Sequence, residues 1–169
     1  MKRTRKGFTL VELLIVMGIV GILGAMGLIA GQEATSAARA TVIADNLEKL
    51  ATAGMMFYEE NSNEIDRTGQ IGGAAVTAAI LAGGINAYLN DDNEIAAVDT
   101  GDNTYFAAVS TATDTTQTWW VGYKFGDSDG NDQVRKVLVN KKNRMHLKTA
   151  VDAATDDYAG GAVVYMKIR

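Results

Sequence analysis

Gly7-Phe8-Thr9-Leu10-Val11-Glu12-Leu13-Leu14-Ile15-Val16 opens an apolar run over residues 8–31, in which Glu12 is the single charged residue. About 20 apolar residues span the hydrocarbon core of a bilayer as a helix, so the run is long enough to do so. A carboxylate within such a span costs about 2.5–3.5 kcal/mol on insertion scales. A plain anchor has no use for that cost, so Glu12 points to a partner for its charge.

Outward from this stretch the charge is divided. Residues 1–7 hold Lys2, Arg3, Arg5 and Lys6 and no acid, whereas the whole chain has 16 bases and 20 acids. Without those four bases, 12 remain against the 20 acids. A basic start is what the cytoplasmic side of a membrane favours. The acidic remainder gives no bulk basic surface for nucleic acid. An ordinary cleaved secretory signal has an apolar core of about 7–15 residues followed by a small-residue cleavage site. Here the run is longer, carries Glu12 and leads without a break into more helix-forming sequence.

The chain has 169 residues with no Pro and no Cys; 47% are hydrophobic and 21% charged. That allows one packed domain plus an appendage and excludes wholesale disorder. Beyond Gly31 the pattern becomes amphipathic. Ile43, Leu47, Leu50, Gly54 and Phe57 draw one apolar stripe at helical spacing, with Arg39, Asp45, Glu48, Lys49, Thr52 and Glu59 largely off it. One helix is expected over residues 8–61. Its apolar half carries Gly18, Gly21, Gly24, Gly27 and Gly31. Small residues at such spacings allow close helix packing; each glycine also weakens the helix by about 0.5–1 kcal/mol relative to Ala.

Basic leader, Gly7, Phe8 and the sequence Thr9-Leu10-Val11-Glu12-Leu13-Leu14-Ile15-Val16 resemble the N-terminus of prepilins of the type IV filament superfamily, which includes type IV pilins and type II secretion and competence pseudopilins. The resemblance covers about the first 25 residues. It implies cleavage between Gly7 and Phe8 by a prepilin peptidase, N-methylation of Phe8, and pairing of Glu12 with the N-terminal amine of a neighbouring subunit during filament assembly. It further implies a homopolymeric filament, an assembly ATPase and a membrane platform protein as partners. Location would be the inner membrane before assembly, N-terminus cytoplasmic and head outside, then a surface pilus or a periplasmic pseudopilus. Many type IV pilins close a C-terminal disulfide loop, which a chain without Cys cannot form; this departure leans towards a pseudopilin or another pilin lineage.

The expected organisation is a leader at 1–7, a transmembrane or filament-core half-helix at 8–31, an amphipathic half at 32–61, a variable linker at 62–103 and a β-sheet head at 104–169. Residues 74–81 read as a short helix ended by Gly83-Gly84. Strand signals cover 105–110, 118–125, 134–139 and 163–168, the second with good period-2 alternation. Trp119 is expected in the core against the helix stripe. Trp120 would point the other way, as a filament contact or under a loop of its own domain. The fold class is α+β: a long helix packed on an antiparallel sheet of about four strands.

No enzyme signature is present. His146 is the sole histidine, in a basic stretch, and no phosphate-binding glycine loop occurs. Asp152, Asp156 and Asp157 read as a solvated cluster without a partner base. Asp127, Asp129 and Asn131 alternate as oxygen donors and form a candidate calcium loop. The EF-hand pattern fails, because its sixth and twelfth positions hold Asp132 and Leu138, and a polar turn between strands is the plainer reading. The leading function is a structural subunit of a type IV pilus-like filament. The alternatives are a secretion or competence pseudopilin and a membrane-anchored periplasmic binding module.

Overall fold

The structure is a computed structural model that describes residues 8–66, 68–89, 95, 101–111, 116–127, 131–151 and 157–168. Helix α1 runs Leu10–Glu60 without interruption. Its contacts fall into two units, Met1–Thr35 and Ser36–Arg169. In the first, every described side chain is exposed, including Leu10, Leu14, Ile15, Val20 and Leu23. This part of α1 is long and apolar enough to cross a membrane. A Cβ placed on Gly18, Gly21, Gly24, Gly27 or Gly31 would meet nothing within 4 Å. At 100° per residue, steps of three drift by about 60°, so Gly18 and Gly27 lie on opposite sides of the helix.

The second unit contains the rest of α1, helices α2 (Ala78–Asn86) and α3 (Asn131–Met145), and strands β1 (Thr104–Thr111), β2 (Gln117–Lys124), β3 (Leu147–Lys148) and β4 (Val163–Lys167). The strands form one sheet in the order β1-β2-β4-β3, and every pair is antiparallel. The expected α+β class and four-stranded sheet are therefore present. Ile43, Leu47 and Leu50 of the α1 stripe are buried with Trp119, Val121, Val134, Leu138, Leu147, Tyr158 and Val164. Gly54 lets the stripe come close to the sheet's last strand, since a Cβ there would sit 2.6 Å from Ile168 Cδ1. Trp119 packs against Phe57 and Tyr58, with ring centroids 5.9 and 5.8 Å away.

Trp120 points to the other face of the sheet but is only 3% exposed. Its Nε1 donates to Thr118 Oγ1 at 2.8 Å, and Lys167 Nζ lies 5.9 Å from its ring centroid. It is covered within its own domain and offers no open contact. On the same face, Phe106 lies over Gly122 and meets Tyr165 edge-on at 5.8 Å.

Two expectations are corrected. Residues 134–139 are not a strand; they lie within α3. Val137, Leu138 and Val139 look strand-like alone, but the buried set Asn131, Val134, Leu138 and Met145 is spaced 3, 4 and 7, a single helical face. Asp132 in the first turn and Lys142 and Arg144 in the last complement the helix dipole. His146, at φ 52°, ends α3 in the left-handed region and turns the chain into β3. Gly83-Gly84 does not end the earlier helix either: α2 continues to Asn86. A Cβ on Gly84 would come within 2.5 Å of the Phe57 ring, so the glycine serves close packing rather than termination.

The linker is tied down by polar groups. Gln117 is buried; its Oε1 accepts from Val76 N at 2.9 Å and its Nε2 donates to Val76 O at 3.2 Å. Asp66 Oδ1 accepts from Thr68 N, Thr68 Oγ1 and Gln70 N at 2.8, 2.6 and 3.0 Å, closing a tight turn. Asp157, expected to lack a base, accepts from Lys148 Nζ at 3.0 Å, whereas residues 152–156 lie outside the described ones.

Candidate functional site: the entry of the N-terminal helix

Thr9 is the last residue before α1 and Glu12 is its third helical position. The first backbone N–H groups of a helix have no partner within it. Here Thr9 N donates to Glu12 Oε2 at 2.8 Å, Thr9 Oγ1 donates to the same oxygen at 2.8 Å, and Glu12 N donates to Thr9 Oγ1 at 3.3 Å. This reciprocal pair is a capping box. Leu13 N then donates to Thr9 O at 3.3 Å, the first full turn of the helix. Both bonds to the carboxylate fall on Oε2, and Oε1 takes none among the described residues. Phe8 is 87% exposed just ahead of the cap, whereas Gly7 lies outside the described residues.

The arrangement does two things chemically. It fixes the carboxylate at the positive end of the helix dipole. It also holds that charge in an apolar segment with one oxygen committed and the other available to a second donor. Besides the distant partner that its charge calls for, Glu12 has a local one in Thr9. The spacing Thr9-Leu10-Val11-Glu12 already carries the capping signature of a hydroxyl residue followed three positions later by Glu.

Residues 2–28 match the prokaryotic N-terminal methylation motif. That motif is the hallmark of type IV pilins and pseudopilins, and the match takes in 27 of the 169 residues. The motif and the apolar half of α1 agree with membrane anchoring before assembly. No curated protein and no solved structure matches the chain.

The candidate calcium loop lies between β2 and α3. Asp127 is exposed, and Asp129 lies outside the described residues. Asn131 is buried at the first position of α3, where its Nδ2 donates to Gly126 O at 2.6 Å. Its amide thus secures the helix entry. Among the described residues no three His, Cys, Asp or Glu side chains gather as a metal site. The calcium reading is left with Asp127 and with Asp129, which lies outside the described residues. His146 is exposed and serves as the turn that closes α3.

Proposed function

We propose that this chain is a subunit of a type IV pilus-like filament, cut between Gly7 and Phe8, methylated on the Phe8 amine and polymerised through α1. The observation that carries the reading is Glu12: an acidic residue in an exposed apolar helix, capped on one oxygen and, among the described residues, unpaired on the other. Removing the leader takes away four bases and creates a cationic amine at Phe8, close to the membrane depth of Glu12. An amine from a second copy is the donor that Oε1 would accept, and pairing relieves the cost of holding either charge alone in low dielectric. The exposed apolar halves of α1 would then bury one another in a filament core. A cytoplasmic ATPase and a membrane platform protein would drive the addition of subunits.

The absence of cysteine favours a second reading within the same class, a secretion or competence pseudopilus that stays in the periplasm. An anchored binding module would use Glu12 only as a helix cap and would leave the cost of its charge in an apolar span without a return. In the experiment that tests the proposal, Glu12→Ala is still processed at Gly7 but fails to enter filaments. Wild-type incorporation of that variant would overturn the charge-pairing account.

A further inference from the structure

The head, residues 36–169, carries opposite charges at its two ends along α1. Near the Ser36 end lies α3. Its Lys141 Nζ donates to Thr41 Oγ1 at 2.7 Å, and Asn131 and Val134 face Ala38, Arg39 and Val42 of α1 across a cleft. The α3 region is the basic part of an acidic chain: beyond Asp132 in its first turn, which pairs with Arg135, residues 133–148 contain six Lys and Arg and no Asp or Glu. Of these, Lys136 and Arg144 are exposed, and Arg39 on α1 adds to the same end. About 30 Å further along the helix, at 1.5 Å per residue, the charge reverses. Residues 59–66 contain four acids, Glu59, Glu60, Glu64 and Asp66, followed in the sequence by a single base, Arg67. All four are exposed. The ion pairs among the described residues are Arg135 with Asp132 and Lys148 with Asp157, so neither Lys136 and Arg144 nor Glu59 and Glu64 are neutralised by one. Met55 and Met56, each 51% exposed, add apolar area just before the acidic end.

We infer that the partner of each end is the opposite end of a second copy of this chain. The basic α3 end of one head seats on the acidic 59–66 end of the next. Complementary potentials of this kind set register and suppress wrong pairings. Because the two surfaces differ, the contact is head-to-tail; it does not close as a two-fold dimer, and in the filament reading it propagates as an open helical array. An anionic polymer fits less well, since the acidic end and the acidic chain as a whole would repel it. The inference rests on the filament reading above and adds to it the head contact, which is separate from the one at Glu12.

The test uses full-length protein expressed in its filament-forming host. Lys136→Glu with Arg144→Glu, and separately Glu59→Lys with Glu64→Lys, should each lower the yield of sheared filaments about tenfold or more, because like charges then meet at the joint. The four changes combined in one chain restore the pairing with reversed sign and should recover most of the yield, which also shows that the variants fold. Because the chain has no native Cys, Glu64→Cys with Arg144→Cys in one chain should give a ladder of disulfide-linked multimers in filaments, whereas each single variant should not. If wild type forms filaments and both reversal variants assemble at wild-type yield, the head contact is wrong and the filament reading stands. If wild type forms no filament at all, both are overturned.

Discussion

Thr9 and Glu12 satisfy each other across the first turn of α1, with Thr9 N 2.8 Å from Glu12 Oε2 and Glu12 N 3.3 Å from Thr9 Oγ1. The residue proposed to select neighbouring subunits is therefore also the residue that starts the helix. The two roles are separable. Thr9→Ala removes the cap, a change worth about 0.5–2 kcal/mol at helix entries, and keeps the carboxylate. It should loosen the first turn, seen as faster amide exchange at residues 10–13 in micelles, while leaving filament incorporation largely intact. Glu12→Gln keeps a capping oxygen but removes the charge and should block incorporation. Equal assembly defects in both variants would mean that capping, rather than charge, is what assembly needs.

Gln117 holds the linker to the sheet by serving both backbone groups of Val76. Gln117→Leu strands a buried N–H and a buried C=O, each worth about 1–3 kcal/mol when left unpaired. The melting temperature of the chain in detergent, followed by far-ultraviolet circular dichroism, should fall by several degrees. An unchanged melting curve would show that the Val76 groups reach water.

Gly122 is the floor under Phe106, where a Cβ would sit 2.6 Å from Cζ of the ring. Gly122→Ala should cost about 1–3 kcal/mol, in the range of overpacked sites. Phe106→Leu in the same chain should recover part of that loss by vacating the ring position. If the single Ala variant is as stable as wild type, the outer face of the sheet is looser than its geometry indicates.

Acid stability follows from two carboxylates outside the apolar half of α1. The Thr68 hydroxyl and then the Gln70 N–H hold Asp66 below the usual aspartate range, and the Lys148 ammonium does the same for Asp157. Groups with depressed values stabilise the fold fully above the ordinary aspartate pKa of about 3.9. That stabilisation is lost as pH falls through their lowered values. Melting temperature should therefore be flat between about pH 5 and 7 and drop below about pH 4. Asp66→Asn should lower the plateau and flatten part of the acid slope. A variant with the wild-type slope would remove Asp66 from the account.

Much of the fold was legible in the chain. The stripe of Ile43, Leu47, Leu50, Gly54 and Phe57 reports burial directly, because this part of α1 buries one regular face; the alternation through Trp119, Val121 and Tyr123 marks only one of the two sides of β2, since Trp120 on the other is buried as well. The α3 segment was misread because Val137, Leu138 and Val139 dominate a short window. The four buried positions that define its helical face span 15 residues and include Asn131, a polar residue that sequence alone does not mark as buried. Gly84 carried the same difficulty: a glycine that breaks a helix and one that admits Phe57 look alike until the partner is placed. Gln117 and Val76 are 41 residues apart, so their pairing has no local signature. At the N-terminal site the Thr9 to Glu12 spacing was present in the sequence, masked by the larger question of the unpaired charge.

The most direct measurement is the mature N-terminus, by mass spectrometry of protein from sheared surface filaments and from membranes. The account predicts a chain beginning at N-methylated Phe8, with the seven-residue leader absent, in the polymerised fraction. Recovery in sheared filaments assigns a pilus, and recovery in membranes alone assigns the pseudopilus. An intact leader, or a first residue beyond Gly31, would contradict processing at Gly7 and with it the filament function.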